Sequence, residues 1–254
     1  MCGMLDGMGK LSTNVGLRVD GVRKLVFPPV CLFCQSPLAA RDSCCANCLE
    51  HIHVWPRAVC VSCGDVLPED MVPGPCGRCL QKPLAQLETH SLYEYSGPVR
   101  EAILEWKLHG HEAGVRWLLA AAIPRISEHM AADDLLLPVP MPLSRMRKSG
   151  QHHAANMCRW LAEGVDCGWD WRILRRVGEQ SRQSSLAGSA RRKNLRKAFA
   201  LCNDYAPRLQ DVSTIWVVDD ILTTGTTLHY AARATRKLNK PVRVLSLART
   251  SHKR

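Results

Sequence analysis

The run Ile215-Trp216-Val217-Val218-Asp219-Asp220-Ile221-Leu222-Thr223-Thr224-Gly225-Thr226-Thr227 sets two adjacent carboxylates and a Thr/Gly loop straight after an apolar segment. In open α/β sheets a ligand sits beyond the carboxyl ends of the strands. A loop of this type offers backbone N–H groups and Thr hydroxyls at a helix N-terminus, where a phosphate is favoured. Gly225 lets the backbone come close to that anion. Asp219 and Asp220 would repel the phosphate, but they suit sugar hydroxyls and a hydrated Mg²⁺ ion. The pattern is that of a phosphate cradle beside a ribose clamp.

Cysteine supplies the second pattern. Ten of the 13 cysteines lie before residue 80, eight of them in C-x2-C pairs: Cys31/Cys34 with Cys45/Cys48, and Cys60/Cys63 with Cys76/Cys79. Four thiolates close one tetrahedral Zn²⁺ site and leave no position open for water. One or two structural zinc ions are therefore expected, lending folding energy to a segment with little core. Cys44 is an alternative to Cys45, His51 and His53 are further candidate donors, and ligands could pair across the two sets. Cys158, Cys167 and Cys202 read as buried thiols without a metal role. An odd cysteine count argues against a disulfide framework.

Charge is the third. The net charge is +11, and residues 141–199 carry thirteen Lys or Arg against four Asp or Glu. Such a surface favours an anionic ligand, a phosphorylated small molecule or nucleic acid. Five of the seven residues from Arg191 to Lys197 are cationic. They could neutralise phosphates along single-stranded DNA or form a flap over the phosphate loop. Phe199 is the one aromatic platform beside them.

Periodicity indicates what positions these groups. Ser96-Gly97-Pro98 opens a helix with the apolar stripe Val99, Ala102, Ile103, Trp106. A second helix is expected over 112–130, with Pro124 as a break. Residues 135–139 read as a buried strand, and Ala154, Cys158, Leu161, Ala162 and Val165 as another helical face. A strand over 214–218, a helix over 226–239 and a strand over 242–247 follow. Strands separated by helices imply parallel crossovers. The expected organisation is a flexible extension over 1–30, a double zinc ribbon over 31–82 and an α/β domain over 83–254.

With 254 residues, 46% of them hydrophobic, the chain can bury a sizeable core, which excludes a disordered or collagen-like chain. Its longest apolar run, 117–123, falls far short of the roughly 20 residues of a membrane span. Residues 1–28 carry no signal-peptide pattern, so a soluble cytoplasmic protein is expected.

The thirteen-residue run from Ile215 to Thr227 resembles the phosphoribosyl pyrophosphate (PRPP) signature of type I phosphoribosyltransferases. With a zinc ribbon ahead of it, the chain resembles the ComF/GntX family, associated with DNA uptake in competent bacteria. Pro138-Val139-Pro140-Met141-Pro142-Leu143-Ser144-Arg145 resembles that family's V-P-V-P-L-S-R stretch, Gln183 to Phe199 its R-R-x-N-L-x-x-A-F block, and Ala102 to Gly110, with Lys107, its K-x-x-G segment. The resemblance implies a phosphoribosyltransferase-like parallel sheet with flanking helices. It implies that Asp219 and Asp220 hold the ribose hydroxyls and Thr223, Thr224, Gly225, Thr226 and Thr227 the 5′-phosphate.

Transfer of the phosphoribosyl group releases pyrophosphate, whose charge needs Mg²⁺ and cationic side chains. Arg145, Arg147 and Lys148, just beyond the 135–139 strand, are the candidates. Lys107 is read as helical surface or a lid contact. Gly150-Gln151-His152-His153-Ala154 stands where the family reads G-F-N-Q-A, and His152 and His153 are expected at an exposed helix start. Thr223 stands where purine-salvage enzymes often carry Asp, so the loop does not support purine salvage. The implied partners are PRPP, with transfer to an acceptor, and single-stranded DNA or a DNA-uptake helicase in a non-catalytic accessory role.

Overall fold

The computed structural model describes residues 29–39, 42–68, 71–72, 74–177 and 197–251. The expected extension up to residue 28 and the basic block from Arg191 to Arg196 lie outside the described residues. Packing divides the chain into two compact units, Met1–His51 and Ile52–Arg254. The first holds the Cys31–Cys48 cluster, a Val30–Pro37 bridge and the short helix α1 (Ala46–Glu50).

The second unit begins with the Cys60–Cys79 knuckle, closed by α2 (Gly77–Gln81). There follow β1 (Glu88–Glu94), α3 (Gly97–His109), α4 (Ala113–Ile126), β2 (Leu135–Pro138), α5 (Leu143–Ser149) and α6 (His153–Val165). The remaining elements are β3 (Gly168–Trp169), β4 (Leu174–Arg176), β5 (Phe199–Leu201), β6 (Ile215–Leu222), α7 (Thr226–Thr235) and β7 (Val242–Arg249). Strands β1-β7-β6-β2-β3 form one sheet in that order, with every pair parallel. β4 and β5 form a separate antiparallel pair.

The central strands are apolar without alternation because helices cover both faces of a parallel sheet. Ile215, Trp216, Val217 and Val218 of β6 are all buried, as are Leu135, Leu136 and Leu137 of β2. Val99, Ala102, Ile103 and Trp106 form the buried stripe of α3, which Gly110 ends in a left-handed cap with φ 78°. Pro124 lies inside α4 and does not break it. Only two helical residues follow, so a kink at Pro124 would fall at the helix end and leave the buried turns before it intact. The helix expected over 226–239 stops at Thr235 and tightens into a 3₁₀ turn, Arg236–Leu238, that buries Leu238. The strand expected over 214–218 runs on to Leu222, so the paired carboxylates belong to the strand itself.

Among the described residues, no helix is long and apolar enough to cross a membrane. Trp106, 1% exposed, lies between α3 and α6 against His153 and Trp160. Trp106→Ala is expected to cost about 3–5 kcal/mol of stability, read as a lowered urea midpoint by far-UV circular dichroism.

Candidate functional site

β6 carries Asp219 and Asp220 to the carboxyl edge of the sheet, where both are half-buried. Asp219 Oδ1 accepts from the Asp220 N–H at 3.0 Å. Burial, with the neighbouring Asp220 charge second, pushes the Asp219 carboxyl up to about 8. Lys107, from α3, answers that repulsion with its Nζ 2.8 Å from Asp220 Oδ2. The strand then turns through Thr223–Gly225, with Gly225 at φ 70° as the N-cap of α7. That angle, in the left-handed region, is open to Gly at little cost. It aims the first N–H groups of α7 outward, and Thr224 Oγ1 lies 2.9 Å from Thr226 Oγ1 on the same rim.

β2 is the parallel neighbour of β6, and the Val139 N–H donates to Val218 O at 2.8 Å. The chain leaving β2 therefore emerges beside the carboxylates and forms α5, which carries Arg145 and Arg147, both exposed. Lys148 shares that helix, and its side chain lies outside the described part. Arg176 of β4, half-buried, approaches the same place. Burial, and then the positive charge of Arg145, lower its pKa.

The two histidines do start a helix, α6, but not an exposed one. His153 is 5% exposed, with its ring edge-on to Trp106 at 4.5 Å. His152 is half-buried, and its Nδ1 accepts from the Ala155 N–H at 3.1 Å as the N-cap. Burial holds both imidazoles below the ordinary histidine range, and for His153 the nearby Asp220 charge opposes the fall. Neutral His152 fits its role, since a cap must accept a hydrogen bond.

The cysteines close two separate tetrahedra. Thiolates 2.3 Å from one zinc ion stand about 3.8 Å from each other. Cys34 and Cys45 sulfurs lie 3.7 Å apart, Cys63 and Cys76 sulfurs 3.8 Å, and all four sulfurs in each set lie within 4.8 Å. Both clusters fit structural zinc ribbons, and ligands do not cross between them. Cys45, and not Cys44, completes the first set of four sulfurs. The Cys44 thiol turns to Cys45 O and is pushed up to about 11, by burial first. His51 and His53 are in neither set, and His51 Nδ1 contacts Asn47 O. Burial works against ionising Cys60, but the N–H groups of Cys63 and Cys76 bring it down to about 7. Of the three late cysteines, Cys158 is buried, whereas Cys167 and Cys202 are half-buried. None joins a ligand cluster.

Residue patterns did not single out Lys107 as the partner of Asp220, Arg176 beside Arg145, or Arg249. Two adjacent carboxylates require a counter-cation, which was the available signal for the first. Arg249, 4% exposed at the end of β7, donates to Cys63 O and Asp65, lies over the Trp55 ring at 5.4 Å, and ties the second knuckle to the sheet. Nothing local in the sequence marks that link.

Two outcomes follow from this geometry. The zinc-loaded protein should carry two equivalents, Cys60→Ser one, and Cys44→Ser two, read by elemental analysis after dialysis. Asp219 binds a proton in the folded chain up to about pH 8 but in the unfolded chain only to about pH 4. Its contribution to stability is thus present below pH 4 and lost as pH rises to 8. Asp219→Asn should flatten the fall in Tm over that window.

A family model described as double zinc ribbon domain matches residues 22–80. The DNA utilization protein YhgH of Salmonella typhi is 29% identical over 215 residues, 80% of this chain and 89% of that protein. Competence protein F of Haemophilus influenzae is 27% identical, covering 86% and 96%. Competence protein ComFC of Bacillus subtilis is 24% identical, covering 89% and 95%. Among solved structures, a hypoxanthine phosphoribosyltransferase from Staphylococcus aureus is 11% identical with a TM-score of 0.34, over 53% of this chain and 62% of that one. Likeness of that size carries no argument. The phosphoribosyltransferase-like α/β class rests on the parallel sheet and the loop after β6, preceded by the double zinc ribbon. Over four-fifths of its length or more, this chain is similar to the competence F proteins and the DNA utilization proteins, and its cysteine module to the double zinc ribbon, which supports the ComF resemblance.

Proposed function

We propose that the protein binds Mg²⁺–PRPP at the carboxyl end of β6 and transfers its phosphoribosyl group to an acceptor. The observation that carries this reading is the half-buried Asp219–Asp220 pair running directly into a Gly225-capped Thr loop. One element thereby offers acceptors for ribose hydroxyls and donors for the 5′-phosphate. The exit of β2 supplies the third part. Arg145 and Arg176 converge there, with Arg147 and Lys148 on the same helix, as a cationic wall for the departing pyrophosphate. Asp220 is held by the Lys107 ammonium at 2.8 Å, so a Mg²⁺ ion at this edge would have to displace that ion pair or be carried by the phosphates of PRPP itself. Mg²⁺, when bound, would offset charge on the leaving group.

Asp219 and Asp220 would orient the ribose, Thr223–Thr227 would anchor its phosphate, and the arginines would stabilise charge that grows as the anomeric bond breaks. Thr223 cannot act as a base at neutral pH, which leaves purine salvage unsupported. Relatives named for competence and DNA utilization support a role in DNA uptake. The cationic excess over residues 141–199 favours a second reading, an accessory protein that binds single-stranded DNA or a helicase without catalysis.

Calorimetric titration of Mg²⁺–PRPP into zinc-loaded protein tests the site, beside the Asp219→Asn, Asp220→Asn double variant. Saturable binding that the folded variant loses is expected. No heat in the parent would overturn the transfer reading and leave the accessory one.

A further inference from the structure

A groove of about 920 Å³ within the second unit runs from Thr223–Thr226 to the Cys60–Cys79 knuckle. Arg78, Lys82, Arg233, Arg236 and Arg249 line it, and among the described residues Asp65 is its one acid. Asp65 is already paired with both Arg78 and Arg249. Even with a zinc-filled knuckle taken as two negative charges, the described residues of the groove keep an excess of about two positive charges. Among the described residues, no ion pair holds Lys82, Arg233 or Arg236.

His229 of α7 stands in the same wall, and its Nδ1 is buried with no hydrogen-bond partner. Lys82, His229 and Arg233 line the same groove, where burial and then the charges of Arg233 and Lys82 lower the pKa of this imidazole. An orphaned buried nitrogen is unfavourable, and like charges facing one groove add to the cost. One anion placed between them would relieve both.

We propose that Lys82, His229 and Arg233 form a second phosphate-binding subsite, distinct from the Thr223–Thr227 loop. Its ligand is the phosphate of a molecule lying along the groove, a terminal phosphomonoester or an internucleotide phosphodiester. The further assignment, that this molecule is the acceptor of phosphoribosyl transfer, rests on the function proposed above. The subsite itself does not.

The test uses full-length, zinc-loaded protein with ¹⁵N-labelled histidine, and inorganic phosphate as the first probe. The His229 imidazole signal, identified by its loss in His229→Gln, should shift saturably. Lys82→Ala and Arg233→Ala, both exposed positions that should fold normally, should each weaken that response about tenfold. Thr224→Val, in the loop, should leave it intact. An unmoved His229 signal, or equal responses in the parent and both cation variants, would overturn the subsite. Thymidine 5′-monophosphate and the dinucleotide TpT, which has only a phosphodiester, distinguish the source, and the tighter of the two identifies it. A phosphate response in a protein that fails to bind Mg²⁺–PRPP would uphold the subsite and remove only its role in transfer.

Discussion

Two carboxyl groups side by side at the end of a buried strand cannot both stay charged without compensation, and the carboxyl edge of this sheet is arranged around that constraint. Asp219 and Asp220 sit in the last residues of β6, where burial and mutual repulsion favour a proton on Asp219. Lys107 neutralises Asp220, which requires α3 to lie across the sheet edge. Trp106, the preceding residue, anchors α3 in the core, so the ammonium is delivered from a rigid support. His153 fills the space beneath, neutral and packed on the same Trp. Its neutrality keeps a second cation from competing with Lys107 for one carboxylate.

The same edge is held from the other side by metal chemistry. The second knuckle belongs to the compact unit of the sheet, and Arg249 is the joint. A buried guanidinium must have its donors filled. Arg249 fills them with Cys63 O and Asp65, beside the thiolates a zinc ion would gather. The register pairs Arg249 with Leu222, the last residue before the Thr loop. Zinc bound in this knuckle would thus shape one bank of the groove beside the Thr loop, which is more than a cap on a small module requires.

The cationic character of the chain also has an address. Arg145 and Arg176 converge at the exit of β2, while Lys82, Arg233 and Arg236 line the groove on the far side of the loop. Between them lies the acidic pair.

The sequence alone determined the four C-x2-C pairs, the Asp-Asp strand end, the Thr loop and the alternation of helices and strands. Each is a local property: ligand spacing, an apolar run, a helix cap or a period of 3.6 residues. The grouping of the sulfurs and the choice of Cys45 over Cys44 came from the structure. Two-residue strands such as β3 and the seven-residue α5 left too little periodicity to read. Composition marked a change near residue 82, where cysteine and proline thin out, whereas packing divides the chain between His51 and Ile52. Only the tertiary structure decided that Lys107 faces Asp220, that His152 and His153 are drawn inward, and that Arg249 meets Asp65 across 184 positions of sequence. These are contacts between side chains from distant elements. Their partners are set by helix placement and burial, and no pattern of neighbouring residues encodes them.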